Sequence, residues 1–444
     1  MKWCIGTIES DSSLWYLKMV SMKLKIESMA FGGYGVARAG GKVLFIPYSV
    51  TGDEVWIEIT EERKRYSIGQ LVRMVAPSPW RIDPPCPYFR RCGGCQWQHI
   101  HPSVHGEIKR TILIETLKRL GKLDEMPSVD LVPSAKPYGY RIRVQLKVKT
   151  NAIGYYQEKS RRIVDISHCP IAHSLVNRII SILRDQHDHL LSMEEIEINV
   201  SPHEEKGTLL FHPHSLHSND QRFEHFVKQL LQDQQVLKGI AIAKKGGWTL
   251  FGNPSLSFRV PFLDDQKNLS FRTSPGSFSQ VNLEQNEKLI QAVIEFSDAM
   301  KSDRVLDLYS GAGNFTLPIA IQAGEVWGIE ENKVAIKDAK FNVERNGFRN
   351  VHFIEGEVEE VLKDWKRERP DQVVHDPPRA GCKSVIDQIV RLVPKKIVYV
   401  SCEPTTFARD LHLFFERGYS VKRLRLIDMF PQTYHMEVVG LLTH

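Results

Sequence analysis

The sequence predicts a multidomain protein: a small β-barrel, a mixed α+β region that carries cysteines, and an open α/β domain of the doubly wound kind. Three observations predict it. A chain of 444 residues exceeds the size of a single core. Residues 22–78 hold five short β-type runs separated by glycine turns (KLKIES, FGGYGVAR, KVLFIP, EVWIEIT, IGQLVRMVA), the pattern of an OB-like barrel. From residue 266 onward, strand and helix patterns alternate.

Before the barrel, residues 1–21 lack periodicity and read as a tail, or, with Met19 and Met22 close by, as an upstream start. Lys and Arg outnumber Asp and Glu by 59 to 53, a net charge of +6 that suits a polyanionic partner without proving one. No apolar run reaches the length of a membrane span, so a globular cytoplasmic protein without a membrane or obligate protein partner is expected. In the barrel, Phe31, Tyr34, Arg38, Lys42, Arg63, Lys64 and Arg65 could bind single-stranded nucleic acid through stacking and charge.

The seven cysteines form no disulfide framework. Cys86, Cys92 and Cys95 are spaced C-x5-C-x2-C, with Gly93 and Gly94 letting the backbone fold tightly. Cys169 supplies a fourth thiol and, like Cys86, precedes a proline. Four cysteines suit tetrahedral zinc or an iron–sulfur cluster, and spacing does not choose between them.

Residues 104–123 carry apolar side chains at helical spacing. The stretch YRIRVQLKVKTNAIGYYQEKSRRIVDI then alternates apolar with basic residues, a strand pair whose Arg141, Arg143, Lys147, Lys149, Arg161 and Arg162 would form a basic sheet face for RNA. HPHSLH, at 212–217, reads as surface histidines rather than metal ligands.

In the α/β region, Asn282 is placed to cap the helix LEQNEKLIQAVIEF. RVLDLYSGAGNF is a strand ending at Asp307 and a glycine loop that lets backbone approach a ligand. VWGIE ends the next strand on Glu330, whose carboxylate can take a ribose. The loop is not G-x-G-x-x-G, which disfavours a pyrophosphate clamp. QVVHDPPRAG places Asp376 at a strand end, and IVYVSCEP places Cys402 at another, at the lip of the cleft expected outside such ends. A cysteine there can be mere packing or a nucleophile.

LDLYSGAGNFTLP, GIE, DPPRAG, VSCEP and HMEVV, preceded by SFSQVN, resemble the ordered motif series of the RNA uracil-5-methyltransferases. With the barrel and the cysteines, the chain resembles the RumA type, which acts on 23S ribosomal RNA, from about Lys23 to Val439. The resemblance implies an OB-like TRAM barrel at 22–78, a central domain at 79–100 and 130–265, and a Rossmann-like methyltransferase domain at 101–129 and 266–444. It implies methylation of uracil carbon 5 with S-adenosyl-L-methionine as donor, Cys402 as nucleophile and Glu437 as base. Gln280, Tyr309, Asn314, Glu330, Glu357 and Asp376 would surround the cofactor, and Phe278 with Gln280 would face the substrate. Cys86, Cys92, Cys95 and Cys169 would bind a [4Fe-4S] cluster, and the partner would be ribosomal RNA.

Two residues depart from the family pattern. Glu403 replaces the usual asparagine after the nucleophile and would disfavour the thiolate unless it points away or is neutralised. Glu357 stands where Asn or Asp is usual. The alternatives are the same chemistry on a transfer RNA uridine, amine methylation at the DPP motif, or a non-catalytic RNA-binding iron–sulfur protein.

Overall fold

The computed structural model describes residues 21–123, 125–215, 221–262 and 267–444. The expected tail apart from Ser21, with Cys4, and His217 of the histidine-rich stretch lie outside them. The chain forms two compact units, residues 1–81 and 82–444.

The first unit is one curled sheet. Its strands β1 (Ser21–Lys25), β2 (Ser28–Ala30), β3 (Tyr34–Ala39), β4 (Lys42–Pro47), β5 (Glu54–Glu62) and β6 (Tyr66–Ala76) run in the order β1-β5-β6-β4-β3-β2. KLKIES is not one strand: the chain bends at Ile26 and Glu27, whose N–H groups bond Asp53 O and Val36 O at 2.8 Å. The two halves therefore close opposite edges of the sheet, around a core of Ile26, Ala37, Leu44, Ile46, Val55 and Ile57. Buried Asp53 accepts from Val50 N and Ser78 N and pairs with Arg81, tying the segment after β6 to the barrel.

Three of the basic side chains expected to contact nucleic acid are paired within the barrel. Arg38 pairs with Glu27, Lys42 with Glu62 and Arg63 with Glu61. Lys64 and Arg65 remain exposed in the β5–β6 turn. Next to them Tyr66 meets Phe45 edge to face at 5.6 Å, and Phe45 meets Tyr34 at 6.1 Å, an aromatic row suited to stacking bases.

The second unit begins with the cysteine segment and α1 (His105–Gly121), which stops where Lys122 takes a left-handed conformation. β7 (Val129–Val132) follows. A seven-stranded sheet is built from β8 (Arg143–Lys149), β9 (Ala152–Tyr156), β10 (Ile163–Asp165), β11 (Met193–Ser201), β12 (Lys206–Pro213), β13 (Leu237–Lys244) and β14 (Gly247–Gly252), in the order β10-β9-β8-β11-β12-β13-β14. Helices α2 (Ser174–Asp185) and α3 (Gln221–Asp233) bury Val176, Ile179, Ile180, Phe223, Val227 and Leu230 in the same core as this sheet.

Of the six basic residues expected on this sheet face, Arg143 and Lys147 are paired with carboxylates, while Lys149, Arg161 and Arg162 are exposed. The register places Lys147 opposite Glu195, with which it pairs, and Arg143 reaches Glu197 at 2.7 Å. Opposite charges on adjacent strands satisfy one another before any ligand does.

A ribbon of β15 (Leu256–Phe262) and β16 (Lys267–Thr273) leads into α4 (Leu283–Ser297), which Asn282 caps by accepting from Gln285 N. The α/β part continues through β17 (Arg304–Leu308), α5 (Thr316–Ala320), β18 (Glu325–Glu330), α6 (Lys333–Asn346), β19 (Val351–Glu355), α7 (Val358–Lys363), β20 (Gln372–His375), α8 (Ile386–Arg391), β21 (Lys396–Ser401), α9 (Pro404–Phe415), β22 (Ser420–Ile427) and β23 (Glu437–Thr443). The sheet order is β19-β18-β17-β20-β21-β23-β22-β7. Strands β17 to β21 are mutually parallel, and β23 runs antiparallel between β21 and β22. β7 extends the edge beside β22 and α1 packs on α9, so residues 105–132 belong with this sheet. Among the described residues no helix is long and apolar enough to cross a membrane.

Candidate active site

The chain passes from β17 outward to β18 and β19, then returns to the other side of β17 to form β20 and β21. The reversal opens a crevice at the carboxyl ends of β17 and β20, where open α/β sheets bind ligands. The apolar runs that bury these strands end on polar groups at this edge: Asp307 near the end of β17, Glu330 at the end of β18, Asp376 after β20 and Cys402 after β21. Because β23 is antiparallel, its first residue, Glu437, lies at the same edge.

The crevice over β17 is lined by Phe258, Gln280, Tyr309, Asn314, Phe315 and Asp376, among others. Tyr309 holds φ of 63°, a left-handed conformation costly for a tyrosine and typical of a functional turn. Gly313 follows at φ 94°, where a Cβ would collide with Leu317. Glu330 accepts from Gly311 N at 2.9 Å and from Asn332 N at 2.7 Å, so its carboxylate is fixed beside the glycine loop. Glu357 stands exposed at the start of α7 and is not among the residues lining this crevice.

Buried Asp307 accepts from Thr316 Oγ1 at 2.5 Å, while its other oxygen has no partner among the described residues. Burial pushes its carboxyl up to about 7, and Asp376 is likewise raised by desolvation to about 7.

The second cavity, about 470 Å³, runs from the cysteines to the catalytic edge. Cys86, Cys92, Cys95 and Cys169 line one end, and Phe278, Arg379, Phe430, Thr433 and His435 line the other. Phe278 is 62% exposed, a free aromatic face beside both cavities.

Cys402 is half-buried and directly follows β21. Desolvation, then Glu437 and Asp376, push its thiol up to about 12, while the Arg379 guanidinium, within hydrogen-bonding reach, pulls it down. Glu437, 2% exposed, is raised well above the carboxylate range by burial and by Asp376, and Arg379 again opposes this. Glu403 does not face the thiol. It caps α9, accepting from Thr405 N and, at 2.6 Å, from Thr405 Oγ1.

At the cysteine end, Cys92 accepts from Gly94 N at 3.4 Å, and Asn177 holds the Cys169 backbone through bonds of 2.7 and 3.0 Å. Burial, with smaller contributions from Cys169 and Cys86, raises the Cys92 thiol to about 11, and burial, with Cys169, Cys92 and Cys86, raises Cys95 to about 12. Among the described residues no group of His, Cys, Asp or Glu is arranged to hold a single metal ion.

The structure thus brings Gln280, Tyr309, Asn314 and Asp376 around one crevice, ties Glu330 to the glycine loop that lines it, and sets Cys402 with Glu437 nearby. Two residues escaped the sequence reading. Arg379 sits inside a quoted motif without an assigned role, although a cation after DPP at a strand end was the available signal. Asn286 exchanges reciprocal amide bonds with Asn314 at 2.9 and 3.0 Å, and only its helical spacing from Asn282 hinted at it.

The sequence profile described as tRNA (uracil-5-)-methyltransferase matches residues 110–444. The chain belongs to this family. It is an S-adenosylmethionine-dependent RNA uracil-5-methyltransferase. The TRAM-domain profile of tRNA (uracil(54)-C(5))-methyltransferase matches residues 22–80, the curled sheet. The chain is 36% identical over 427 residues to an uncharacterized RNA methyltransferase of Aquifex aeolicus, covering 96% of this chain and 99% of that one. It is 33% identical over 434 residues to the 23S rRNA (uracil(1939)-C(5))-methyltransferase RlmD of Pectobacterium atrosepticum, covering 96% and 94%. The crystal structure of Pyrococcus abyssi tRNA (uracil-54, C5)-methyltransferase, in complex with S-adenosyl-L-homocysteine, superposes with a TM-score of 0.74 at 26% identity, covering 95% of this chain and all of that one.

Proposed function

We propose that this uracil-5-methyltransferase modifies a uridine of 23S ribosomal RNA in the cytoplasm, through a covalent bond between Cys402 and the base. The observation that carries the mechanism is the meeting of Cys402, Glu437 and Arg379 at the edge of the crevice that Asp376 shares. The choice of ribosomal RNA is supported by the 33% identity to RlmD along nearly the whole chain, against 26% for the transfer RNA enzyme of known structure.

Carbon 5 of uracil is a weak nucleophile. Addition of the Cys402 thiolate to carbon 6 pushes electrons into the ring and makes carbon 5 enolate-like. S-adenosylmethionine, when bound, supplies an electrophilic methyl group. Gln280, Tyr309, Asn314, Glu330 and Asp376, with Glu357 proposed at the rim, would hold it. Glu437 then takes the proton from carbon 5, the ring double bond re-forms, and Cys402 leaves. A carboxylate kept dry among apolar strand residues is a stronger base than one in water, which suits proton removal from carbon. Arg379 offsets the negative charge that thiolate and carboxylate bring together. Phe278, exposed beside both cavities, would stack on the turned-out base.

A [4Fe-4S] cluster is proposed at Cys86, Cys92, Cys95 and Cys169. The donor set fits: four thiols line one cavity, and burial opposes the ionisation of Cys92, Cys95 and Cys169 unless a cationic centre offsets it. The cluster would tie Cys169 to the 86–95 segment. The proposed division at 79–100 with 130–265, and 101–129 with 266–444, is supported in outline by the separate apolar cores of the seven- and eight-stranded sheets, but β7 carries residues 130–132 to the eight-stranded sheet and residues 79–81 go with the barrel.

Mapping 5-methyluridine in ribosomal and transfer RNA from cells with and without the gene tests the substrate. Loss of one 23S site is expected; loss confined to transfer RNA overturns the choice.

A further inference from the structure

Arg379 is the one cation acting on both Cys402 and Glu437 among the groups that shift them, yet its side chain is exposed and its backbone lies in a loop. What fixes that loop is α9, the helix that starts two residues after Cys402. Thr406, Arg409 and Asp410 occupy positions i, i+3 and i+4 and so share one helix face. Thr406 Oγ1 donates to Arg379 O at 3.1 Å, and Arg409 Nη2 donates to Ala380 O at 2.8 Å. Cys382 N donates to Asp410 Oδ2 at 2.8 Å. Every residue from 379 to 382 is thus held by this face, for Gly381 packs directly on it.

The packing leaves no slack. Gly381, at φ 80°, closes a turn by donating to Pro378 O at 2.8 Å, and a Cβ there would overlap Asp410 Oδ2 and Arg409 Nη2. Asp410 is fully buried and anchored in turn: Tyr399 OH, from β21, donates to its Oδ2 at 2.8 Å, and Arg409 Nε donates to its Oδ1 at 2.8 Å. The strand that ends at the nucleophile, the helix that follows it and the loop that carries Arg379 are therefore locked by one carboxylate. None of these clamp residues touches the crevice or the larger cavity.

We propose that Thr406, Arg409 and Asp410 are positioning residues that hold Arg379 against Cys402, and thereby set the reactivity of the thiol. This rests on the reading of Cys402 as nucleophile. Glu437 from β23 and Asp376 from the β20 loop face the thiol and oppose ionisation, Arg379 favours it, and Glu403 on α9 is turned into its own cap. Release of the loop lets Arg379 swing into solvent and leaves the two carboxylates unopposed.

The test uses the full chain without RNA. The rate of Cys402 alkylation by iodoacetamide is followed against pH by mass spectrometry of the Cys402 peptide, for wild type, Arg379→Met, Arg409→Met, Thr406→Val and Thr406→Ser. Arg409→Met and Thr406→Val are expected to move the profile up by about half a pH unit or more. Thr406→Ser, which keeps the hydroxyl, stays with wild type. Combining Arg409→Met with Arg379→Met adds nothing to Arg379→Met alone, because both remove one interaction. In turnover, kcat falls about tenfold while both KM values stay within about twofold. Thr406→Val is the milder change and keeps the test readable if Arg409→Met folds poorly. Unmoved profiles in Thr406→Val and in a folded Arg409→Met, or additive shifts in the double variant, overturn the clamp. Retained turnover in Cys402→Ala overturns the nucleophile instead, and the alkylation profile still reads the thiol itself.

Discussion

Cys402 stands opposite Glu437. The antiparallel register that pairs Lys396 with Thr443 and Ser401 with Val438 puts the next residue of one chain beside the previous residue of the other. The side chains proposed as nucleophile and base are thus delivered to the same edge of the sheet by strand pairing. Slippage of either strand by one residue would turn its side chain to the other face and separate the pair.

The family's usual asparagine after the nucleophile can be restored here at little cost. Asparagine caps helices as well as a carboxylate does, and Glu403 is committed to Thr405. Glu403→Asn is expected to keep kcat within about twofold. A steady-state assay checks it, and a tenfold gain would mean that Glu403 does burden the thiol.

Asp307 gives stability a pH dependence of definite sign. Its carboxyl titrates near 7 when folded and near the ordinary 3.8 when unfolded, so the folded state binds the extra proton between those values. Its contribution to stability therefore falls as pH rises through that window. Asp307→Asn lacks this term. Its stability relative to wild type should be similar near pH 4 and rise by on the order of 4 kcal/mol by pH 8. Urea unfolding at both pH values measures this, and a pH-independent difference would contradict the assignment.

Anaerobically purified protein should be brown, with about four iron and four sulfide per chain. Cys92→Ser and Cys169→Ser should lose iron while keeping the far-ultraviolet dichroism of the fold. Colourless protein with stoichiometric zinc would reject the cluster.

Deleting residues 1–81, the first compact unit, should weaken RNA binding and raise the apparent KM, with a smaller effect on single-turnover rates at saturating RNA. The cut falls after Arg81 because that residue belongs to the barrel through Asp53. A folded truncation that binds RNA as tightly as the full chain would remove the barrel from substrate holding.

The catalytic edge was legible in the sequence wherever a buried run ends on a polar residue. Asp307, Glu330, Asp376 and Cys402 each close an apolar β-branched stretch, and a parallel sheet sends such ends to one side. Glu437 was not legible that way. It begins its strand, and only the resemblance marked it as more than an ordinary strand glutamate. The pairing of Arg143 and Lys147 with Glu197 and Glu195 was hidden because it depends on how β8 meets β11, a strand some fifty residues on. The orientation of Glu403 was hidden for a local reason: whether a residue caps the next helix or faces a ligand is decided by one backbone turn. Arg379 needed both kinds of information, since its role follows from a loop held by residues that lie beyond the next strand.

Cys402 and Glu437 divide the proposed reaction between bond formation and proton removal, and one variant separates the two. Glu437→Gln, incubated with substrate RNA and S-adenosylmethionine, keeps the nucleophile and loses the base. Denaturing gels followed by mass spectrometry of the Cys402 peptide are predicted to find RNA attached to Cys402 through an already methylated uridine. Release of methylated RNA at the wild-type rate, with no adduct on Cys402, would contradict the mechanism.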